Sequence, residues 1–214
     1  MKIAIITLFP EAIEPYLKTS MLWKAADRGI VEYHLVNLRD FGLGPRRQVD
    51  DTPYGGGDGM LLMVKPLKDA IEAAKKLVGS DRTVILPTPR GKLYKQSDAK
   101  RMAAASKDLI ILCPRYEGYD ERVTKWVDEQ ICIGQYVLTG GELPALTIID
   151  SVVRLLPGVL GGESSTEIES FQENDESVEF AQYTRPEDFE GLKVPDVLLS
   201  GHHAEIEKWR KSCQ

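Results

Sequence analysis

Short apolar runs alternate with segments of helical periodicity from the first residues of the chain to Leu156. The runs, rich in β-branched residues, predict strands over Lys2–Leu8, Val31–Leu38, Thr83–Leu86, Leu109–Cys113 and Gln130–Gly134. Spacing of apolar residues predicts helices over Glu11–Arg28, Pro66–Leu77, Gln96–Ala105, Leu143–Leu156 and His202–Lys211, and a loop over Arg39–Gly59. Because strands and helices alternate, we expect an α/β fold with a largely parallel sheet.

Composition excludes several classes of protein. The chain has 214 residues, of which 43% are hydrophobic, and this suits one large domain with at most a small appendage. Its longest apolar runs are too short to cross a bilayer, and Met1–Pro10 lacks the features of a signal peptide. The three cysteines have no paired spacing. We therefore expect a cytoplasmic protein with no membrane partner.

The acidic residues are concentrated in one stretch. The net charge is −6, but ten acids and a single basic residue, Arg185, lie between positions 161 and 190. The remainder of the chain has a small excess of basic residues, which permits RNA binding without demonstrating it. Residues 161–182 have few candidates for a core and are predicted to form a flexible acidic linker.

Unusual loops follow three of the predicted strands, at Pro87–Arg90, Pro114–Gly118 and Gly134–Gly141. Ligand sites of parallel sheets lie at the carboxyl ends of the strands, so these loops are predicted to meet at one site. The apolar and glycine residues of the third loop suit an adenine ring, although a tight turn into the next helix is an alternative. The second loop could equally be a helix start that favours Asp120 and Glu121.

The segment Tyr54–Met60 has four glycines in five positions, which lets the backbone approach a ligand or partner closely. Its spacing matches neither a phosphate-binding loop nor a dinucleotide fingerprint. The alternative is a flexible surface loop. Arg154, at the end of an apolar helix, is either a functional cation or an ordinary partner of the helix dipole.

Together these segments resemble the bacterial TrmD family of tRNA (guanine-N1)-methyltransferases. The matching stretches are Leu8–Glu11, Arg39–Phe41, Val49–Asp51, Pro53–Met60, Arg115–Gly118, Asp120–Arg122, Ile133–Pro144, Ile149–Val152, Pro157–Gly161, Tyr183–Pro186 and Leu199–Gly201, in the order of the family.

The resemblance implies a SPOUT fold, in which a mostly parallel sheet carries a deep C-terminal trefoil knot, followed by a short helical C-terminal extension. The implied domains are a knotted cofactor-binding domain at 1–160, the acidic linker at 161–182, and a shortened tRNA-binding domain at 183–214. It further implies a homodimer that transfers a methyl group from S-adenosyl-L-methionine to N1 of guanosine 37 in tRNA, with Mg²⁺ as a further requirement.

The resemblance also assigns residues to roles. The implied cofactor-binding residues are Pro89, Pro114, Tyr116, Glu117, Gly118, Ile133, Gly134, Gln135, Tyr136, Val137, Leu138, Gly140, Gly141 and Pro144. The implied RNA-binding residues are Asp50, Tyr54, Gly55, Gly59 and Ser165. Glu169 and Arg154 are the implied catalytic residues, and no metal ligand is assigned.

The implied chemistry requires a base, because N1 of guanine carries a proton at neutral pH. Glu169 would remove this proton, and Arg154 would stabilise the negative charge that develops on O6. Glu169 departs from the aspartate of the family, Pro114 replaces its usual glycine, and Ser177–Gln182 differs from its usual stretch. There are two alternatives to this function. The protein could methylate another RNA, or it could bind S-adenosylmethionine or RNA without catalysis. The alternative for Glu169 is that it is one of ten acids in a solvated segment.

Overall fold

The computed structural model describes residues 1–160, 169–171 and 177–212. Two compact units make up the chain, Met1–Gly161 and Gly162–Gln214. In the first unit the elements are β1 (Lys2–Thr7), α1 (Pro10–Leu17), α2 (Ser20–Asp27), β2 (Glu32–Asn37), β3 (Asp50–Asp51), β4 (Leu61–Leu62), α3 (Val64–Leu77), β5 (Arg82–Leu93), α4 (Gln96–Ala105), β6 (Asp108–Leu112), β7 (Glu129–Cys132) and α5 (Glu142–Val153), with 3-10 helices over Leu38–Phe41 and Glu121–Trp126.

The first unit is built on a five-stranded sheet in the order β2-β1-β6-β5-β7, and every pair in it is parallel. This confirms the predicted α/β class and its mostly parallel sheet. Parallel strands that are covered on both faces are apolar throughout, as in β1, where five consecutive residues after Lys2 are buried.

The sheet separates two apolar cores. On one face β1 side chains such as Ile3 and Ile5 pack with α1, α2, α4 and α5. On the other face Ala4 and Ile6 pack with α3 and both 3-10 helices. Alternate residues of one strand thus serve different layers, which is the expected geometry of a strand.

β5 leaves its regular register half-way along. Pro87 and Lys92 both pair with Ile131 of β7, so the residues between them bulge out of the strand. A Cβ on Gly91 would lie 2.4 Å from the Ile131 nitrogen, so a residue with a side chain cannot occupy this point without a shift. The bulge brings the residues of the first predicted loop away from the sheet.

The second unit contains a small ribbon of β8 (Asp188–Phe189) and β9 (Leu192–Lys193), followed by α6 (Asp196–Leu199) and α7 (His203–Ser212). The predicted helix His202–Lys211 corresponds to α7. Within this unit the ring of Tyr183 lies 6.3 Å from that of Trp209, and the Arg210 guanidinium lies 4.8 Å above the Phe180 ring.

Several predicted boundaries were wrong. The single helix predicted over Glu11–Arg28 is two helices, because Thr19 is extended and Ser20 has a φ of +51°. The strand predicted to end at Leu86 continues through the bulge to Leu93. The region predicted as a loop contains a 3-10 helix and β3, which pairs with β4. Among the described residues, no helix has the length and apolar character needed to cross a membrane.

Candidate functional site

A cavity of about 440 Å³ opens at the carboxyl edge of the sheet. Segments 87–90, 114–119 and 131–141 supply most of its wall, so the three loops predicted to meet do so. Of the predicted cofactor-binding residues, those that line it are Pro89, Pro114, Tyr116, Glu117, Gly118, Ile133, Gly134, Tyr136, Val137, Leu138, Gly140, Gly141 and Pro144. Gln135 is not among the lining residues. A volume of this size is typical of sites for small ligands.

The second loop turns sharply after β6. Tyr116 has a φ of +60° and Gly118 a φ of +130°, and the Gly118 N–H donates to the Arg115 carbonyl at 3.1 Å. A tyrosine in the left-handed region is uncommon, and such conformations persist where the surroundings hold them. The turn presents Tyr116, which is 46% exposed, towards the cavity that it lines.

The third loop packs directly on the second. The Gly141 N–H donates to the Pro114 carbonyl at 2.8 Å. A Cβ on Gly141 would lie 2.4 Å from Pro114 Cδ and 2.6 Å from Cys113 Cα. Within the third loop, the ring of Tyr136 fills the space in which a Cβ on Gly134 would lie. Gly141 is therefore required by the close approach of two chain segments, whereas the contact at Gly134 is with a side chain of the same loop.

The first loop contributes a cation at the cavity. Arg90 lines the cavity, and its Nη2 lies 2.6 Å from Glu121 Oε2 of the second 3-10 helix. The hydrogen bond to Glu121 is the main cause of a raised Arg90 pKa. Thr88 accepts a hydrogen bond from the Tyr119 hydroxyl at 3.3 Å and connects the first loop to the second.

A buried network, missed by the sequence analysis, lies behind the loops. Glu142 begins α5 and accepts hydrogen bonds from Thr7 Oγ1 at 2.7 Å and from Arg115 Nε at 2.8 Å. Burial, followed by the negative charge of Glu142, raises the pKa of the Cys113 thiol. The sequence contains these residues in or beside its motifs, but no local pattern predicts a pairing across 135 or 27 positions.

The glycine-rich segment is anchored at one end. Leu62 forms a parallel bridge with Tyr119, and the Glu117 N–H donates to the Met60 carbonyl at 3.0 Å. A Cβ on Gly59 would lie 2.5 Å from Glu117 Cγ. At Gly55 there is open space, and the Tyr54 side chain is fully exposed. The segment therefore has a free tip and a base that contacts a residue of the cavity.

The remaining predicted site residues lie elsewhere. Asp50 is half-buried in β3, and its carbonyl accepts a hydrogen bond from Gln48 Nε2 at 2.9 Å. Arg154 is half-buried and caps the C-terminus of α5, where its backbone N–H donates to the Asp150 carbonyl. Glu169 is half-buried in the second unit. Ser165 lies outside the described residues.

The residues that line the cavity suit a nucleoside with a charged substituent. The side chains of Val137 and Leu138 are 87% and 39% exposed and offer an apolar surface to a purine ring. Main-chain groups of the third loop can form hydrogen bonds with the edge of that ring. Glu117 offers a carboxylate that can accept from ribose hydroxyls or an ammonium group. S-adenosylmethionine has these parts, so the residues present fit it.

The fold and the site define an α/β protein with a loop-built ligand cavity at the carboxyl edge of a parallel sheet. A family model described as tRNA (Guanine-1)-methyltransferase TrmD matches residues 1–214. The chain belongs to this family, which confirms the resemblance found in its motifs.

Named relatives are similar over almost the whole chain. A protein of Halalkalibacterium halodurans named tRNA (guanine-N(1)-)-methyltransferase is 51% identical over 212 residues, which are 99% of this chain and 85% of that protein. Proteins with the same name from Clostridioides difficile and Geobacter sulfurreducens are 49% and 50% identical. The alignments cover 99% of this chain in both cases, and 91% and 85% of those proteins.

Proposed function

We propose that this protein transfers a methyl group from S-adenosyl-L-methionine to N1 of guanosine 37 in tRNA. The observation that carries the proposal is membership of the TrmD family over residues 1–214, by a chain whose family-matching loops line one cavity. Relatives about 50% identical bear the name of this activity.

The cavity is the proposed cofactor site. The adenine ring would lie against the third loop, between Ile133 and Leu138, and the polar parts would face Tyr116 and Glu117 of the second loop. When bound, S-adenosylmethionine supplies a methyl group activated by its attachment to a positive sulfur. The residues of the cavity hold and orient the cofactor, and orientation of the reactants contributes a large part of the rate enhancement.

Two side chains act on the guanine in the proposed mechanism. Glu169 accepts the proton of N1, so that the freed nitrogen lone pair can form a bond to the methyl carbon as the bond from carbon to sulfur breaks. The Arg154 guanidinium stabilises the negative charge that develops on O6. The proton ends on Glu169, the methyl group on N1, and the electron pair of the broken bond on sulfur, which leaves as a neutral thioether.

RNA contacts are assigned to both units. In the first, Asp50 and the exposed tip at Tyr54–Gly55 would approach the RNA, and Ser165 is the RNA-binding residue proposed between positions 161 and 182. In the second, the last turn of α7 carries Arg210 and Lys211, which suit phosphates. Residues 161–182 are proposed as a linker and 183–214 as a tRNA-binding domain.

Finer features of the family are part of the proposal. The trefoil knot is proposed because the chain belongs to the TrmD family over residues 1–214. A homodimer is supported by apolar side chains beside the cavity, since Val137 and Leu143 are 87% and 62% exposed. A tRNA substrate supports a cytoplasmic location.

The described residues do not fit a dedicated Mg²⁺ site. In the part of the chain that the structure describes, no group of three or more His, Cys, Asp or Glu side chains could hold a metal ion. The mechanism therefore assigns no step to Mg²⁺.

The proposal is tested by transfer of labelled methyl groups to a tRNA transcript with guanosines at positions 36 and 37. We expect transfer that requires guanosine 37. Glu169→Gln should lower kcat by about a hundredfold or more, since it removes a general base, whereas Glu169→Asp should retain activity. Glu179→Gln is the matched control, because it removes a charge from the same acidic stretch, beside Ser170, whose Oγ accepts the Glu179 N–H at 3.0 Å.

Other outcomes would identify the alternatives. Transfer to a transcript without guanosine 37 would indicate a different RNA substrate. Binding of S-adenosylhomocysteine without any transfer would indicate a homologue that has lost catalysis. Equal losses in Glu169→Gln and Glu179→Gln would contradict the role of Glu169 as the base.

A further inference from the structure

Glu142 is one of four buried polar or charged residues among those described, with Thr7, Thr88 and Asp98. Burial of a carboxylate is costly unless hydrogen bonds and an opposite charge compensate for it. Its side chain is 6% exposed, and both of its oxygens are used, one by Thr7 and one by Arg115. No part of the proposed chemistry requires this arrangement, so it needs another explanation.

We propose that Glu142 is a positioning residue, which sets the shape of the cofactor cavity by holding Arg115 between the second and third loops. The inference rests on the proposed function, because it concerns the affinity of the cavity for S-adenosylmethionine and its product. Glu142 itself does not line the cavity, whereas Arg115 and residues on both sides of it do.

Arg115 is fixed from several directions. Its Nε donates to Glu142, and its Nη1 donates to the Thr139 carbonyl at 3.3 Å. Its guanidinium lies 4.6 Å above the Phe9 ring. One side chain of the second loop thus contacts the backbone of the third loop and the segment after β1.

The third loop is shaped to receive this side chain. A Cβ on Gly140 would lie 2.3 Å from Arg115 Nε, so the absence of a side chain there makes room for the guanidinium. The adjacent Gly141 N–H donates to the Pro114 carbonyl. The two loops therefore meet at the Arg115 side chain and at a main-chain hydrogen bond next to it.

Glu142 connects this contact to the rigid part of the fold. It lies in the first turn of α5, while Thr7 is the last residue of β1, and Thr7 Oγ1 also accepts the Phe9 N–H at 3.0 Å. A carboxylate held by a strand and a helix can orient Arg115 more closely than a loop residue could. If Glu142 is neutralised, Arg115 loses its charged partner and the two loops can separate.

The test compares Glu142→Gln with Asp98→Asn. Asp98 is also a buried carboxylate of the first unit, paired with Lys92 at 2.7 Å, but it does not line the cavity and does not bond to Arg115. The dissociation constant for S-adenosylhomocysteine is measured by calorimetry, together with the thermal unfolding midpoint and the KM and kcat of methyl transfer. We expect Glu142→Gln to raise the dissociation constant and the KM for S-adenosylmethionine about tenfold, and Asp98→Asn to change neither.

A double-mutant cycle tests whether Glu142 acts through Arg115. Arg115→Gln alone should weaken binding of S-adenosylhomocysteine about as much as Glu142→Gln, and adding Glu142→Gln to it should have less than a twofold further effect. Because the Arg115 side chain is 25% exposed, its replacement tests the proposal even if Glu142→Gln fails to fold.

Three results would overturn the inference. One is unchanged cofactor affinity in Glu142→Gln, and another is an equal loss of affinity in Asp98→Asn, which would indicate a general effect of stability. The third is a full Glu142→Gln effect in the Arg115→Gln background. If the unaltered protein itself does not bind S-adenosylhomocysteine, the proposed function fails and this inference fails with it.

Discussion

At the scale of the residue, Gly141 is where the third loop of the cavity approaches the backbone at the start of the second loop. Its φ is −83°, which any residue can adopt, so only steric contact forbids a side chain. Gly141→Ala would place Cβ 2.4 Å from Pro114 Cδ and 2.6 Å from Cys113 Cα, and Cys113 follows a buried strand that cannot easily move. We expect calorimetry to show a loss of S-adenosylhomocysteine affinity of about tenfold or more, from a strain of about 1–3 kcal/mol.

Gly29→Ala is the control for this change. Gly29 has a φ of +69° and open space around it, so alanine should cost about 1 kcal/mol of stability through the backbone alone. Cofactor affinity should be unchanged in that variant. If Gly141→Ala binds S-adenosylhomocysteine normally, the third loop can retreat from Pro114 and the close approach does not shape the cavity.

Tyr94 makes the stability of the protein depend on pH in the alkaline range. Burial raises its pKa from 10.0 to about 12, while its hydroxyl is 2.7 Å from Ser151 Oγ. Because the pKa is raised in the folded state, its contribution to stability is complete below pH 10 and is lost between about pH 10 and 12. Tyr94→Phe loses the hydrogen bond to Ser151 and should be less stable than the unaltered protein at pH 8. The difference should shrink from pH 10 to 12, because only the unaltered protein must then bury an ionised phenol. Urea unfolding at several pH values measures this, and a constant difference would contradict it.

The sequence predicts the residues that line the cavity better than it predicts the buried contacts that hold the loops in place. Pro114 and Tyr116 follow a strand, and the rule that ligands lie at the carboxyl ends of parallel strands was sufficient to bring them to one site. The contacts of Glu142 with Thr7 and Arg115 depend on the packing of α5 against the end of β1. Such pairings across the chain are set by tertiary structure and leave no local signal.

At the scale of the element, β4 connects the glycine-rich segment to the second loop. We expect Gly59→Ala to weaken S-adenosylhomocysteine binding, because its Cβ would displace Glu117, which lines the cavity. Gly56→Ala is a closely matched control, since the two glycines have φ values of +84° and +81° and only Gly59 has a neighbour within 4 Å. Calorimetry of both variants separates the effect of contact from the effect of backbone strain. Equal affinities would mean that Glu117 can move without consequence for the cofactor.

The ends of helices and strands were hardest to predict where a change in backbone conformation, and not the apolar pattern, sets them. The periodicity of Ile13, Leu17, Leu22 and Ala25 suggested one helix, and all four residues are buried as expected. The break between α1 and α2 is invisible in that pattern, since both helices bury a face against the same core. In β5 the bulge is likewise a matter of register with β7, although Pro87, Pro89 and Gly91 are residues often found where a strand is irregular.

At the scale of the whole molecule, the two units differ in composition and in the functional residues that they contain. Both apolar cores and all residues that line the cavity at the carboxyl edge of the sheet belong to the first unit. The second unit carries Glu169, most of the acidic stretch and the basic last turn of α7. The proposed function therefore divides between them, with cofactor binding in one and the base for the RNA reaction in the other.

This division predicts the behaviour of a chain truncated after Leu160. It retains both cores and the complete cavity, so we expect it to unfold cooperatively and to bind S-adenosylhomocysteine with the affinity of the full chain. It should transfer no methyl group to tRNA, because it lacks Glu169 and the RNA-binding residues assigned to the second unit.

Full-length Glu169→Gln is the comparison that makes the truncation informative. Glu169→Gln should retain tRNA binding, measured by filter retention. The truncated chain should bind tRNA more weakly, and its binding should lose the salt dependence that the basic residues of α7 contribute. A truncated chain that binds tRNA like the full chain would assign RNA recognition to the first unit alone. One that cannot bind S-adenosylhomocysteine would show that the cavity needs the second unit, which would contradict the separation of cofactor binding from the base.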